Sequence, residues 1–244
     1  MTSVPTEIAV YDLDRTLTDT GSWMHYLRFW LRHEAPGNRW LWPIVAVAGV
    51  AYLLRLISRG ELKRVAHGQL LGWELPVEQV SRVSEAFARG FVAAHALPSA
   101  LAALAEDRAA GRRIVIASAS FGYYVRHIAR ELGVADVVAT ELVETPGCRS
   151  TDPTIWAKLA GPNCYGAAKR QAVETWLAAQ GLGDAVVHFT SDHHSDLPCF
   201  ELALERGGQV RCANPSDKLA AIAKVRGWPV VQWGRIKGSL FERA

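Results

Sequence analysis

Two closely spaced aspartates, Asp12 and Asp14, follow a short apolar run in the segment EIAVYDLDRTLTDT, at residues 7–20, and the first threonine after them is Thr16. Residues 8–11 are β-prone and lack polar alternation, which predicts a buried parallel strand that ends at Asp12. In an open α/β sheet, ligands bind beyond the carboxyl ends of the strands. Asp12 and Asp14 point the same way on an extended chain, and two such close carboxylates favour a bound cation or a shared proton. A solvated turn is the alternative interpretation of this pair.

Four further polar residues stand where predicted strands end or predicted helices begin. Ser118 follows the apolar run IVIA at residues 114–117, and Asp192 follows the buried strand predicted at residues 186–189, with Asp196 four residues later. Lys169 lies in the first turn of a helix predicted to begin near Gly166. A lysine at this position is unfavourable against the helix dipole, which indicates a role other than helix stabilisation. An ordinary surface lysine and an ordinary strand-end serine remain the alternatives.

The order of these residues resembles the four motifs of the haloacid dehalogenase superfamily of phosphohydrolases. The motifs are matched in turn by Asp12-Leu13-Asp14-Arg15-Thr16, Ser118, Lys169 and Asp192 with Asp196. Two positions depart from the family pattern. Arg15 stands where many members have glycine, and Ser191 replaces the glycine that usually precedes the first aspartate of the fourth motif. Neither departure removes an acid.

The resemblance implies a mechanism through an aspartyl-phosphate, with Mg²⁺ as the cofactor. It assigns Asp12 as the nucleophile and Asp14 as the general acid and base. It assigns the metal ligands to the carboxylate of Asp12, the backbone carbonyl of Asp14 and Asp192. Asp196 is expected to orient the lysine or a metal-bound water. The groups implied to bind phosphate oxygens are Thr16, Ser118, the backbone N–H of Ala119, and Lys169.

A chain of 244 residues, of which 50% are hydrophobic, fits one large domain or one domain with an insertion. Alternating strand and helix patterns predict an α/β fold, a Rossmann-like doubly wound parallel sheet with an inserted all-helical cap. The catalytic core is predicted at residues 1–20 and 95–244, and the cap at residues 21–94. Residues 142–164 are predicted to form a hairpin without identifiable chemistry.

Net charge and cysteine spacing exclude some classes of function. The net charge of +3 is small and the basic residues are dispersed, which argues against a nucleic-acid partner. No signal-peptide pattern opens the chain and the cysteines have no C-x-x-C spacing, so reduced thiols in the cytoplasm are expected. His193 and His194 are interpreted as local hydrogen-bonding or solvent-facing residues, because Mg²⁺ prefers oxygen ligands. The cysteines are Cys148, Cys164, Cys199 and Cys212.

An apolar segment at residues 40–57 stands out within the predicted cap. Residues 40–54 contain no charge over 15 positions, which is shorter than the roughly 20 residues that span a bilayer. Between Trp23 and Arg64 there are seven Lys or Arg against two Glu, so this region carries +5 and the rest of the chain −2. Tryptophans and arginines at the flanks predict a membrane-interface segment at the inner face of the cell membrane. A buried cap helix is the alternative.

The cap resembles that of the phosphoserine phosphatase-like branch of the superfamily, subfamily IB, and its apolar stretch is similar to that of phosphatidylglycerophosphatase C-like hydrolases. This likeness implies a Mg²⁺-dependent phosphomonoester hydrolase that acts on a phospholipid headgroup phosphate, such as phosphatidylglycerophosphate. A soluble phosphatase of phosphoserine or another small metabolite would share every catalytic residue. A membrane adaptor without activity is disfavoured, because the acids, the lysine and the serine are all retained. The oligomeric state is not predicted.

Overall fold

A computed structural model describes residues 6–146 and 152–234, and Cys148 lies outside them. The strands are β1 (Glu7–Tyr11), β2 (Glu74–Pro76), β3 (Arg113–Phe121), β4 (Asp136–Thr140), β5 (Leu142–Pro146), β6 (Pro153–Leu159), β7 (Val186–Ser191), β8 (Val210–Ala213) and β9 (Val230–Val231). The helices are α1 (Ser22–His33), α2 (Trp42–Leu53), α3 (Arg59–Leu70), α4 (Val77–His95), α5 (Pro98–Ala109), α6 (Gly122–Glu131), α7 (Ala167–Ala179), α8 (Leu197–Glu205) and α9 (Asp217–Arg226). Two short 3₁₀ helices lie at Pro36–Leu41 and His194–Asp196.

The main sheet has six parallel strands in the order β4-β3-β1-β7-β8-β9, which confirms the predicted α/β fold. The strand order reverses beside β1, because the chain runs outward through β3 and β4 and then returns to β7 on the other side. Tyr11 pairs with Ile116 of β3 and with Thr190 of β7. The carboxyl ends of these three strands therefore lie side by side at the switch point where ligands bind in such sheets.

The core explains why the first strand has no polar alternation. Ile8 and Val10 lie in the hydrophobic cluster on one face of the sheet, whereas Ala9 and Tyr11 lie in the cluster on the other face. Because successive side chains of a strand point to opposite faces, a strand covered on both faces must be apolar throughout. The same arrangement buries Asp12 where β1 ends.

The insertion at residues 21–94 differs from the all-helical prediction at one point. Its strand β2 pairs antiparallel with β6, which pairs in turn with β5, so the insertion and the predicted hairpin share a three-stranded sheet. The chain segment that enters the insertion is hydrogen-bonded to the segment that leaves it. Thr18 and Ala96 form an antiparallel bridge, and the N–H of Leu97 donates to the carbonyl of Leu17 at 3.0 Å.

Helix α2 contains most of the apolar segment and is largely exposed. Only Val45 and Gly49 of this helix are buried, so the alternative of a helix hidden inside the insertion is wrong. Exposed apolar side chains continue past its ends, from Trp40 (87% exposed) to Leu56 (74% exposed). Within the two described ranges, no helix combines the length and the hydropathy that crossing a membrane requires.

Candidate active site

A buried lysine joins two of the predicted acids. The backbone N–H of Asp12, directly after β1, donates to the carbonyl of Thr190 in β7 at 2.9 Å and fixes this turn against the sheet. Lys169 projects from the first turn of α7, where its Nζ lies 2.7 Å from Asp12 Oδ1 and 2.8 Å from Asp196 Oδ2. All three side chains are buried. The lysine therefore fixes one oxygen of Asp12 and holds the acids of β1 and of the β7 loop together.

Thr16 brings a third acid into the cluster. Its hydroxyl lies 3.4 Å from Asp12 Oδ2 and 3.3 Å from Asp192 Oδ1, and it accepts the backbone N–H of Asp192 at 3.0 Å. A hydroxyl has one hydrogen to donate, so it bonds one carboxylate at a time. The two carboxylates therefore lie on either side of the Thr16 hydroxyl, and Lys169 and Arg15 offset their negative charge only in part.

The charges of this cluster are unbalanced. Burial raises the pKa of Asp12 to about 7, although the ammonium of Lys169 opposes the rise. Burial, and then the neighbouring Asp12, also hold the pKa of Asp192 well above its usual range. A buried carboxylate that is this poorly compensated must bind a proton or a cation to be stable.

The donor set fits a hard divalent cation such as Mg²⁺. The carboxylates of Asp12 and Asp192 supply negative oxygen ligands, and the backbone carbonyl of Asp14 lies two residues beyond the first of them. Among residues 6–146 and 152–234, no group of three His, Cys, Asp or Glu side chains could hold a metal by itself. A cation held by Asp12 and Asp192 would complete its coordination with oxygens of the backbone, of phosphate and of water, which are the ligands that Mg²⁺ prefers.

Ser118 lies at the same edge of the sheet. Because Tyr11 pairs with Ile116, Ser118 is one residue beyond the position opposite Asp12. Strand β3 continues to Phe121 with a shift in register after Ser118, and the N–H of Ser120 donates to the Ser118 hydroxyl at 3.1 Å. The carbonyl of Ala119 accepts a bond from the Thr140 hydroxyl at 2.8 Å. Shifts in register of this kind are common next to active sites, where they reorient a residue or end the pairing.

The predicted general acid, Asp14, turns toward the insertion. Its Oδ1 accepts the backbone N–H of Ser22 at 2.7 Å, and its Oδ2 accepts the Ser120 hydroxyl at 2.8 Å. The structure thus brings the predicted residues of all four motifs to one edge of the sheet, with Asp14 on the side nearest the insertion.

The two departures from the family pattern have structural explanations. Arg15 has φ of 68°, in the left-handed region where glycine is favoured, so the glycine common at this position suits the turn. Ser191 is buried and donates to Asp196 Oδ2 at 2.7 Å. The serine thereby holds the carboxylate that pairs with Lys169, a contact that glycine could not make. His193 makes the expected local contact, in which its Nδ1 accepts the N–H of Ser195 at 3.1 Å.

Sequence reasoning missed Lys63 and Asn163. Lys63 projects from α3 and is buried, with its Nζ 2.5 Å from the carbonyl of Ala119 and 3.5 Å from Asn163 Oδ1. Burial lowers the pKa of Lys63 to about 7. Arg59 and Lys63 share one face of α3, but their spacing does not indicate what that face contacts. Asn163 shows that the end of the segment 142–164 reaches the site.

Comparisons with known proteins place this geometry in a family. A family model for haloacid dehalogenase-like hydrolases matches residues 9–201. The chain is 32% identical over 214 residues to the protein CicA of Caulobacter vibrioides, covering 86% of this chain and 88% of that protein. It is 27% identical over 233 residues to a protein of Mycobacterium tuberculosis named as a probable phosphatase, covering 93% of this chain and 75% of that protein.

Two solved structures share the fold. A Bordetella pertussis protein of unknown function aligns with a TM-score of 0.79 at 23% identity, covering 95% of this chain and all of that one. A phospho-aspartyl intermediate analogue of phosphoserine phosphatase aligns with a TM-score of 0.57 at 14% identity, covering 95% of each chain. At these identities the likeness establishes the fold alone.

Proposed function

We propose that this chain, which belongs to the haloacid dehalogenase-like hydrolase family, hydrolyses a phosphomonoester carried on a lipid headgroup, through an aspartyl-phosphate on Asp12 and with Mg²⁺ as cofactor. The family and the phosphatase-named relative show that the chain is a phosphatase. The observation that carries the mechanism is the buried Lys169, bonded to Asp12 Oδ1 at 2.7 Å and to Asp196 Oδ2 at 2.8 Å. A carboxylate held in this way presents its other oxygen in a fixed direction, as an attacking group requires.

The roles of the side chains follow from their positions. Asp12 attacks phosphorus in line, and the bond between phosphorus and the leaving alkoxide breaks as Asp14 donates a proton to that oxygen. Asp14, now a carboxylate, then takes a proton from the water that attacks the aspartyl-phosphate, which releases phosphate and restores Asp12 as the carboxylate and Asp14 as the protonated acid. Lys169, Ser118 and Thr16 lie where the equatorial oxygens need positive charge or hydrogen-bond donors.

The cation would be held by Asp12, Asp192 and the backbone carbonyl of Asp14. When bound, it neutralises the phosphate together with the Asp12 carboxylate, so that two negatively charged groups can approach each other.

Removal of divalent cations is expected to abolish turnover, and added Mg²⁺ is expected to restore it. Mg²⁺ should also raise the melting temperature of the wild type, because a ligand that binds only the folded state stabilises it. Asp192→Asn should lose most of this rise, whereas Asp184→Asn, a change outside the cluster, should keep it. The measurements are phosphate release and thermal unfolding with EDTA or Mg²⁺. Full activity in EDTA, with no thermal shift in the wild type, would contradict the metal assignment.

A lipid substrate is supported by the exposed apolar surface around α2. This surface, called here the α2 surface, consists of exposed side chains on α2 and its flanking turns: Trp40, Ile44, Val47, Val50, Leu53, Leu54 and Leu56. Contiguous exposed apolar patches of this kind mark interaction sites. Exposed arginines lie on both sides of it in the sequence, including Arg39 and Arg55. Apolar side chains beside arginines suit the interface of an anionic bilayer.

The α2 surface is connected to the site through one helix. α2 packs on α3, and α3 carries Lys63 to the carbonyl of Ala119, beside the phosphate-binding residues. A headgroup at the bilayer surface would therefore meet the catalytic edge through the same element that supports α2. The amino group of the buried Lys63 lies on this side, and in its protonated form it would favour an anionic substrate of either the lipid or the soluble class.

A substrate panel separates the lipid phosphatase from the soluble alternative. We expect the wild type to release phosphate from phosphomonoester lipids in anionic vesicles with a higher kcat/KM than from phosphoserine or other small metabolites. The soluble alternative rests on the same acids and on the same buried lysine, so the residues of the site do not distinguish the two. A higher kcat/KM for phosphoserine, with no response to vesicles, would replace the lipid proposal with the soluble one.

A further inference from the structure

Three hydroxyl groups, one from α1, one from β3 and one from α6, form a hydrogen-bonded chain that ends at Asp14. The Tyr124 hydroxyl lies 3.1 Å from Ser22 Oγ, which lies 3.3 Å from Ser120 Oγ, and Ser120 Oγ lies 2.8 Å from Asp14 Oδ2. Tyr124, Ser22 and Ser120 are all buried, and we call them the hydroxyl chain. None of them belongs to the four catalytic motifs.

The direction of the hydroxyl chain follows from the number of hydrogens. An ionised Asp14 can only accept, so the single hydrogen of Ser120 is committed to it. Ser120 must then accept from Ser22, and Ser22 must accept from Tyr124. Burial, and then the charge of Asp14, hold the pKa of Tyr124 well above its usual range, so Tyr124 keeps the proton that it donates. Every hydroxyl in the chain therefore points toward Asp14.

Helix α1 holds the other carboxylate oxygen of Asp14 through a backbone hydrogen bond. Asp14 Oδ1 accepts the N–H of Ser22 at 2.7 Å, and Ser22 is the first residue of α1. The first N–H groups of a helix have no partner within the helix, and the positive end of the helix dipole favours an anion there. Gly21 precedes α1 and has no side chain that could cap it, so Asp14 supplies this cap from the catalytic loop.

Aromatic packing keeps the donors in place. The ring of Tyr124, on α6, stacks on Tyr26 of α1 with centroids 4.6 Å apart. Trp23, the neighbour of Ser22, meets Phe121 edge to face at 4.9 Å. Helix α1 is thus packed against α6 and the end of β3, so the donors from the insertion and from the core cannot shift independently.

We propose that Ser22, Ser120 and Tyr124 are positioning residues that hold the Asp14 carboxylate in one orientation for proton transfer to and from the substrate oxygens. The proposal rests on the proposed function, in which Asp14 is the general acid and base. It makes the first helix of the insertion part of the catalytic machinery, in addition to any part that the insertion has in choosing the substrate.

The test compares two leaving groups. An alkoxide needs a proton from Asp14 as it departs, whereas p-nitrophenolate is a stable anion and leaves without one. Ser120→Ala should lower kcat/KM by about 10- to 100-fold for an alkyl phosphate, which is less than the roughly 100- to 10,000-fold that a positioned acid usually contributes, because Asp14 itself remains. The alkyl substrate is glycerol 3-phosphate or whichever alkyl phosphate of the substrate panel the wild type hydrolyses fastest. For p-nitrophenyl phosphate, kcat/KM should change by less than about threefold.

Tyr124→Phe should lower the ratio of alkyl to aryl kcat/KM, as Ser120→Ala does, but by a smaller factor. It removes the donor most distant from Asp14 and keeps the aromatic ring. It also tests the proposal if Ser120→Ala does not fold. Ser84→Ala is the matched control, since the buried Ser84 hydroxyl lies 3.0 Å from the Tyr26 hydroxyl and has no contact with Asp14 in the described structure. It should lower the melting temperature without changing the ratio of alkyl to aryl kcat/KM.

A selective loss on the alkyl substrate in the chain variants, absent in Ser84→Ala, supports the proposal. Parallel losses on both substrates, or no loss on either, would overturn it and leave the phosphatase mechanism standing. A wild type that hydrolyses neither substrate in the presence of Mg²⁺ would instead overturn the proposed function, and the hydroxyl chain would lose its assigned role with it.

Discussion

Asp12→Asn is expected to fold normally and to lower kcat by more than about a thousandfold, as the loss of an enzyme's nucleophile commonly does. An amide is a poor nucleophile toward phosphorus and a poor ligand for Mg²⁺. The fold should tolerate the change, because Lys169 keeps its bond to Asp196 at 2.8 Å. Burial already raises the pKa of the Asp12 carboxyl to about 7. Removing its charge therefore relieves the repulsion with Asp192, and the melting temperature should stay level or rise.

The measurement for this variant is phosphate release, with melting temperature and circular dichroism as tests of folding. Mass spectrometry after acid quenching should find covalent phosphate on the peptide that contains residue 12 in the wild type and none in the variant. Asp136→Asn is the matched control, since Asp136 pairs with Arg113 at 2.6 Å away from the cluster and should keep full turnover. Near-normal kcat in Asp12→Asn would remove the proposed nucleophile.

The positions of the proposed catalytic acids could be predicted because they depend on local sequence. A charged residue that ends a buried parallel strand must lie at the carboxyl edge of the sheet. Asp12 and Asp192 end neighbouring strands, so their proximity followed once both strands were identified. Lys169 required more than strand patterns, since a lysine at a helix start is ordinary in isolation. Its assignment depended on the order of the motifs that precede and follow it.

The contacts that the insertion makes could not be predicted in this way. Lys63 reaches Ala119 only because α3 packs over the end of β3, and no spacing in the sequence encodes that approach. Strand β2 has three residues and exists because β6 offers it an edge, which is a pairing over about 80 positions in sequence. Ser22 and Ser120 are 98 positions apart, and nothing local indicates that their hydroxyls meet.

Helix α2 shows a different limit of sequence patterns. Its residues are apolar on every side, so periodicity does not reveal which face is buried. The structure decides this question, because Val45 is buried while Val47 is 70% exposed. Variants that test the α2 surface therefore have to avoid Val45, whose replacement by a polar residue would destabilise the insertion instead.

Replacing Val47, Leu54 and Leu56 by serine is expected to release the protein from anionic vesicles. Burying an aliphatic side chain contributes roughly 1.5 to 3 kcal/mol, so three such side chains contribute about 4.5 to 9 kcal/mol when all are inserted. A tenfold change in affinity corresponds to about 1.4 kcal/mol, so the partition constant for vesicles should fall by at least about a thousandfold. The melting temperature should change little, because all three side chains are exposed.

Vesicle sedimentation and activity on a lipid phosphomonoester measure this effect, with p-nitrophenyl phosphate as the substrate that needs no membrane. The triple variant should lose vesicle binding and lipid turnover together while keeping its kcat/KM for p-nitrophenyl phosphate.

The matched control replaces Leu101, Leu204 and Val225 by serine, since these are exposed apolar residues outside the insertion. It should keep wild-type binding, because dispersed apolar side chains do not form one insertion surface. If the wild type does not bind anionic vesicles, or if both triple variants bind them equally, the α2 surface does not contact lipid. The site would then act on a soluble phosphomonoester.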